Sequence, residues 1–406
     1  MIPRTRPSYT PAELYAALGA KEDDPARFEK ELADFFQMRH AFVFPYGRSA
    51  IHATLRALEL RGDVVQPAYN CVVVAHATLL ADCQPVFVDS QRHDPNQDPQ
   101  EMADAVTAQT VAVIPTATFG WSFDPEALCA AIRRRNPRAV ILMDCCQAFD
   151  AAFQSRALAQ SGDAAVLAFG IGKPITALFG GALLTNRDDI AARVCAYRDA
   201  TFGAPRFDAT ARLWMYFLAT WLALAEPFVG FTDWLEQNDT PLRRYLFRLR
   251  AREAIRLPAD NQTDLAPMSA AIGRAQLRRA NALGERRRAI AARYRAELQG
   301  LPGFEIEDWL SGSSFAIFAV RLRQSERRAA FLDYLRRAGV QGDTNLSYVV
   351  PALKCYTELG FRGEEYPYAL DWARRVINLP GYPALTDTKV ERVCDALRQA
   401  NEVLRE

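Results

Sequence analysis

Asp144 closes an apolar, strand-like run, VILMD, and is followed by Cys145, Cys146 and Gln147, so a carboxylate and an amide leave a buried strand together. A carboxylate in that place can serve a metal, a ribose, a helix end or the ring nitrogen of a cofactor. Further along, Lys173 sits in AVLAFGIGKPITALFGGALL, an apolar, glycine-rich setting unusual for a solvated charge. Desolvation there disfavours the ammonium form, and a neutral amine is what imine formation with an aldehyde needs. Phosphate binding is the competing role, but GIGKP lacks P-loop spacing and a proline follows the lysine at once. A third group, Gly47-Arg48-Ser49, follows AFVFP and opens the apolar-periodic segment SAIHATLRAL. Helix N-terminal N–H groups and a guanidinium suit a phosphate; a plain Ser N-cap beside a chance arginine is the bland alternative.

One ligand answers all three groups. Pyridoxal phosphate (PLP) needs an anion cradle, an amine for its aldehyde, and a carboxylate that keeps its pyridine nitrogen protonated so that the ring can accept electrons. No metal site is expected, because the one close pair of cysteines, Cys145 and Cys146, lies inside an apolar run that matches no zinc pattern.

The elements that must position these groups follow from periodicity. Helices are expected at Pro25–Gln37, Arg48–Leu60, Val73–Leu80 and Pro125–Arg135. Strands are expected at Ala41–Phe44, Asp63–Gln66, Pro85–Val88, Thr110–Pro115, Val140–Met143, Ala164–Phe169 and Gly181–Thr185. This alternation argues for an α/β fold with a mainly parallel sheet covered on both faces, and chemistry at the carboxyl ends of its strands. A polar helix is expected over Met268–Gln299, its arginines solvated, linking to a second α/β unit with strand Ser314–Arg321 and helices Glu326–Ala338, Tyr366–Val376 and Asp387–Val403. The boundary is expected near residues 285 to 305, giving a large unit 1–290 and a small C-terminal unit 291–406.

The 406 residues are 50% hydrophobic with a formal net charge of +1, enough to bury a large core and giving no hint of a nucleic-acid partner. Scattered cysteines, and an N-terminus without the apolar core of a signal peptide, suggest free thiols in a reducing, cytoplasmic setting. Residues 204–262 break the α/β rhythm. The stretch LWMYFLATWLALAEPFVGFTDWL is strongly apolar, yet Glu226 and Pro227 interrupt it short of the ~18–20 residues of a membrane-spanning helix. A buried or dimer-interface helix pair is one reading of 211–234. A peripheral contact with the inner membrane face or a lipid-linked substrate is the other, which Arg243, Arg244, Arg248, Arg250 and Arg252 would suit.

From about residue 26 to the C-terminus the chain resembles the fold type I, PLP-dependent sugar aminotransferases of the DegT/StrS family. The resemblance is carried by FEKELADFFQMRHAFVFPYGRSAIHATLRAL, VVQPAYNCVVVAHATLLADCQPVFVD, AVIPTATFGWSFDPEAL, MDCCQAFDA, GKPITALFGGALLTN, MSAAIGRAQL and VINLPGYPALTD, in that order. It implies a large domain with a seven-stranded, mainly parallel sheet plus a smaller C-terminal domain, and a homodimer with shared active sites. It further implies an internal aldimine at Lys173, Asp144 on the pyridine nitrogen, Gln147 at the ring or its phenolic oxygen, and the backbone of Gly47, Arg48 and Ser49 on the phosphate. The activity implied is transfer of an amino group from an amino acid, typically glutamate, to a keto acceptor, a sugar carried on a nucleotide. A dehydrating branch that resembles this family replaces the lysine by histidine, so Lys173 argues against elimination; a non-catalytic scaffold would have no need of the Asp144, Gln147 and Lys173 set.

Several positions depart from the family's pattern. Cys71, with Tyr69 two positions earlier, stands where many members stack an aromatic ring on the cofactor. Ala168 replaces a phosphate-binding Ser or Thr, and Arg48 replaces a Thr, so that one guanidinium supplies what a hydroxyl otherwise would. Leu265-Ala266-Pro267-Met268 stands for Asn-x-Arg-Met, so a phosphate or substrate contact otherwise lent by the other subunit is either absent or replaced by Asn261 or Asp264. Ser347, beside Tyr348, takes the place of a histidine. The expected pocket is therefore altered while its chemistry is kept.

Overall fold

The computed structural model describes residues 1–205, 207–223, 226–238 and 254–405. The arginines between 243 and 252 lie outside the described residues. The main sheet is built from β1 (His40–Phe44), β2 (Asp63–Pro67), β3 (Gln84–Val88), β4 (Thr110–Val113) and β5 (Val140–Asp144). After a short hairpin, β6 (Ala152–Phe153) and β7 (Arg156–Ala157), β8 (Ala164–Ala168) and β9 (Gly181–Thr185) complete it. The strand order is β1-β9-β8-β5-β4-β2-β3. Only β9 runs against its neighbours; the β8, β5, β4, β2 and β3 pairings are all parallel. Helices Gly47–Ala57, Val72–Leu80 and Pro125–Arg135 supply crossovers. Apolar cores form on both faces of the sheet, which is why its strands read as unbroken apolar runs rather than alternating ones.

Every expected strand and helix before residue 186 forms close to its expected bounds. Helices Pro11–Leu18 and Asp188–Thr201 were not expected from periodicity. The first is marked by a capping box in which Thr10 and Glu13 exchange hydrogen bonds with each other's backbone end.

The polar helix expected over Met268–Gln299 is instead two helices, Pro267–Leu277 and Ala280–Leu298, broken at Arg278 and Arg279. Much of its arginine charge is spent on carboxylates rather than on water. Arg274 pairs with Asp24 and Glu31, and Arg279 reaches the fully buried Glu13 at 2.9 Å. Gly273 lets helix Asp24–Phe36 close in, since a Cβ there would lie 2.7 Å from the Phe28 ring.

A second, antiparallel sheet follows: β10 (Phe304–Glu305), β11 (Phe318–Leu322) and β12 (Val376–Leu379) in that order. Helices Arg328–Arg337, Pro367–Arg375 and Asp387–Arg405 accompany it. Its apolar core is continuous with Ala68, Tyr69 and Val72, which follow β2 of the first sheet. The N-terminal strand segment also crosses over: Ile2 donates to Gly339 at 2.8 Å and accepts from Gln341 at 2.9 Å. Among the described residues, no helix is long and apolar enough to cross a membrane.

Candidate active site

A cavity of about 1530 Å³ opens where the carboxyl ends of β5 and β8 meet the second unit. Arg48, Cys71, Gln147 and Lys173 all line it, as do Tyr348 and Arg287. Asp144, Gly47, Ser49, Ala168 and Tyr69 are not among the lining residues.

Asp144 is 4% exposed at the end of β5. Its Oδ1 accepts the Cys146 N–H at 3.0 Å and its Oδ2 faces the Thr116 hydroxyl at 3.4 Å. Thr116 Oγ1 in turn accepts from Asn70 Nδ2 at 2.8 Å, and Asn70 Oδ1 accepts the Cys71 N–H at 2.6 Å. One hydrogen-bonded chain thus runs from the carboxylate to the residue at the cavity wall.

Gln147 accepts the Phe119 N–H on Oε1 at 2.6 Å, so its amide nitrogen is the end left for a ligand. That contact depends on a tight turn. Phe119 has φ 58° and Gly120 φ 86°, and a Cβ on Gly120 would lie 2.5 Å from the Gln147 carbonyl oxygen.

Lys173 leaves β8 through a glycine turn in which its N–H donates to Gly170 at 3.1 Å and Gly172 takes φ 86°. It makes no ion pair with any described residue. The Cys146 thiol reports on its surroundings: burial pushes that thiol well up, the Asp144 carboxylate adds to the rise, and the Lys173 amine opposes it. A single sulfur therefore feels both groups.

Gly47, Arg48 and Ser49 form the first turn of helix Gly47–Ala57. The approach is close: a Cβ on Gly47 would lie 3.0 Å from Ala168 Cβ and 3.2 Å from Cys146 Sγ. Ala168 therefore faces this turn. The Arg48 guanidinium stands 5.8 Å over the Tyr46 ring, whose hydroxyl donates to Asp260 at 2.9 Å. Ser49 donates to Asn261 Oδ1 at 2.7 Å, leaving Asn261 Nδ2 buried without a hydrogen-bond partner among the described residues.

Tyr69 is brought elsewhere than the cavity. It is fully buried, with its ring edge-on to Phe119 at 6.0 Å and tilted against Trp372 at 6.5 Å. Of the two positions expected at the cofactor's face, Cys71 alone lines the cavity, and beside it Val72 N–H donates to Tyr348 Oη at 3.1 Å. Sequence reasoning missed Thr116, Asn70 and Arg287. The first two carry no motif, and Arg287 is masked by the arginines on either side.

These residues fit PLP. The turn at Gly47 is a cradle with no room for a side chain, the orphan Asn261 amide supplies one more buried donor beside it, and Lys173 lines the cavity without an ion pair to any described residue. A separate group, His93, Glu305 and Glu307, presents possible metal ligands within 4.8 Å of one another. Arg321 and Arg375 already neutralise those carboxylates.

Comparison with known proteins gives a consistent picture. The spore coat polysaccharide biosynthesis protein SpsC of Bacillus subtilis is 24% identical over 380 residues, covering 92% of this chain and 88% of SpsC. Helicobacter pylori PseC, an aminotransferase involved in pseudoaminic acid biosynthesis, superposes with a TM-score of 0.78 at 18% identity over 99% of both chains. The PLP form of a putative sugar aminotransferase from Streptococcus pneumoniae gives 0.76 at 19% identity, again over 99% of both chains. The model of the DegT/DnrJ/EryC1/StrS aminotransferase family matches residues 17–227 and 244–398, nearly the whole chain, and the protein belongs to that family of PLP-dependent aminotransferases.

Proposed function

We propose that the chain moves an amino group from an amino acid, glutamate in the first instance, to a keto sugar carried on a nucleotide or a lipid, using PLP held at Lys173. When bound, PLP supplies an electron sink that eases loss of the donor's α-proton. Lys173 Nζ would hold the cofactor through its aldehyde; freed when the donor's amine takes its place, the same amine would take the proton from the donor's α-carbon and deliver it to the cofactor's former aldehyde carbon. Asp144 keeps the pyridine nitrogen protonated, with Thr116 and the Cys146 N–H fixing the carboxylate's direction. The first turn at Gly47–Ser49 and the Arg48 guanidinium bind the phosphate, with Asn261 as an added donor from the same chain. Gln147 offers its amide nitrogen to the phenolic oxygen. Cys71, the member of the pair that lines the cavity, would face the cofactor, and Tyr69 in the core and Ala168 against the Gly47 turn would support the site from behind.

The observation that carries this reading is that Lys173 and Gln147 line one cavity at the carboxyl ends of the paired strands β5 and β8, where Asp144 closes β5. A carboxylate at the end of one strand and an amine in the turn after its neighbour suit the ring nitrogen and the aldehyde of one aromatic cofactor. The names of SpsC and PseC, both from sugar or polysaccharide pathways, support a sugar acceptor.

Two further parts of the reading concern assembly. The domain boundary falls within helix Ala280–Leu298, giving units 1–290 and 291–406. Helices Phe207–Ala223 and Glu226–Gln237 expose Met215, Leu218, Leu222, Phe228, Phe231 and Trp234, while Leu213 and Tyr216 of the first line the cavity. An apolar face continuous with the cavity mouth suits a second copy of the chain in a homodimer. Sedimentation without lipid tests this: a dimer is expected, and a monomer that binds anionic vesicles instead would assign the face to a membrane.

The test of function is spectroscopic. Purified protein loaded with PLP is expected to show a visible cofactor band that L-glutamate removes, and that a keto sugar restores. A band unaffected by every amino acid would refute amino transfer.

A further inference from the structure

We infer that Arg287 reads the α-carboxylate of the amino donor. Arg287 lies on helix Ala280–Leu298 with its side chain buried, and it lines the same cavity as Lys173. Its Nη2 donates to the carbonyl oxygen of Pro174, the residue that follows Lys173. That uses one of the five N–H donors of a guanidinium.

The neighbouring arginines are spoken for. Arg286 pairs with Asp387 at 2.7 Å and Arg288 with Asp150 at 2.6 Å. Asp150, the carboxylate whose field reaches Arg287, also accepts from Ser314. Among the described residues none forms an ion pair with Arg287. Burial pushes its guanidinium down to about 10, against the opposing pull of Asp150. Proteins rarely bury a cation without a counterion, because desolvation is then uncompensated. A cavity-lining arginine left so is completed by an anion that enters the cavity.

Position selects the anion. The cofactor's phosphate has its own cradle at Gly47–Ser49. A donor amino acid must bring its nitrogen to where Lys173 Nζ was bound, and its carboxylate carbon is then only about 2.5 Å from that nitrogen. A guanidinium held on the backbone beside Lys173 is therefore suited to the α-carboxylate, which it can bind in two-pronged fashion. This inference rests on the aminotransferase reading above.

The test uses the PLP-loaded full chain and probe pairs that differ by the α-carboxylate: L-glutamate with 4-aminobutyrate, and L-alanine with ethylamine. Second-order rates of loss of the visible cofactor band are compared for wild type, R287M and R287K. Wild type is expected to favour each amino acid over its amine by on the order of 100-fold, and R287M to compress that ratio to within about 3-fold by slowing the amino acids alone. R287K, keeping charge without the fork, should fall between. An unchanged ratio, or an equal fall for amino acid and amine, overturns the assignment and leaves Arg287 a structural residue. If R287M fails to hold the cofactor, R287K decides by the same criterion. A wild type unreactive towards every probe sinks the aminotransferase reading and this inference with it, whereas an active wild type matched by its variants removes only the role of Arg287.

Discussion

Ser49 donates its hydroxyl to the side-chain oxygen of Asn261 at 2.7 Å, and the two are buried together beneath the first turn of helix Gly47–Ala57. The bond fixes the Asn261 amide so that its nitrogen is a buried donor lacking an acceptor among the described residues. Such a donor costs about 1–3 kcal/mol until something accepts from it.

Asn261→Ala should therefore weaken PLP binding by about 10- to 100-fold while changing apoprotein stability by no more than about 1 kcal/mol, because the lost Ser49 hydrogen bond offsets removal of the unpaired amide. Fluorescence titration with PLP and a urea melt of the apoprotein check the two halves. Unchanged cofactor affinity would exclude Asn261 from the phosphate site.

Asp144 is steered by the Cys146 N–H and the Thr116 hydroxyl, and no described residue forms an ion pair with it. Thr116→Val keeps the shape but removes the hydroxyl, and should slow the reaction with glutamate roughly 5- to 10-fold. Asp144→Asn should slow it far more, with PLP uptake preserved in both. Stopped-flow loss of the visible band measures each, and a Thr116→Val protein as fast as wild type would remove the relay.

Gly181 and Gly47 meet so closely that a Cβ on Gly181 would lie 2.4 Å from the Gly47 nitrogen and 2.5 Å from its Cα. These are backbone atoms and cannot swing aside. Gly181→Ala should cost about 1–3 kcal/mol in a urea melt and lower PLP affinity, because relief requires helix Gly47–Ala57 to shift. An unaltered midpoint would contradict that packing.

Asp94 gives a pH dependence of stability. Burial, and to a smaller degree the Glu307 charge, raise its pKa to about 7, against the opposing Asn96 N–H. The unfolded value is about 3.9, so the native state holds the proton more tightly. Its contribution is present in full below pH ~4 and is lost as pH rises through about 7. Asp94→Asn should thus be more stable than wild type at pH 8, with the gap narrowing towards pH 5. Denaturant melts at those two values decide it, and a gap that widens on acidification would give the wrong sign.

What could be read from sequence follows from local physics. Asp144 and Lys173 are legible because each interrupts an apolar run at a strand end, and β8 and β9 flank the glycine turns that expose the lysine. The Ser49–Asn261 bond joins residues 212 positions apart, with no local pattern to announce it. Arg287 is hidden for another reason: in the run Arg286–Arg288 all three residue types are identical, and only the packing of helix Ala280–Leu298 turns the middle one inward. The break at Arg278 and Arg279 has neither glycine nor proline to mark it. Tyr69 and Cys71 illustrate the limit at short range, since a two-residue step from strand end to helix cap sends one into the core and the other to the cavity.

The central claim is that Lys173 carries the cofactor, and the chain has four other lysines, Lys21, Lys30, Lys354 and Lys389, with which to test it. Borohydride reduction of the PLP-loaded protein followed by peptide mapping should place the pyridoxyl group on Lys173 and leave the other four unmodified. Label on any other lysine, or stoichiometric label surviving in a K173A variant, would contradict the account.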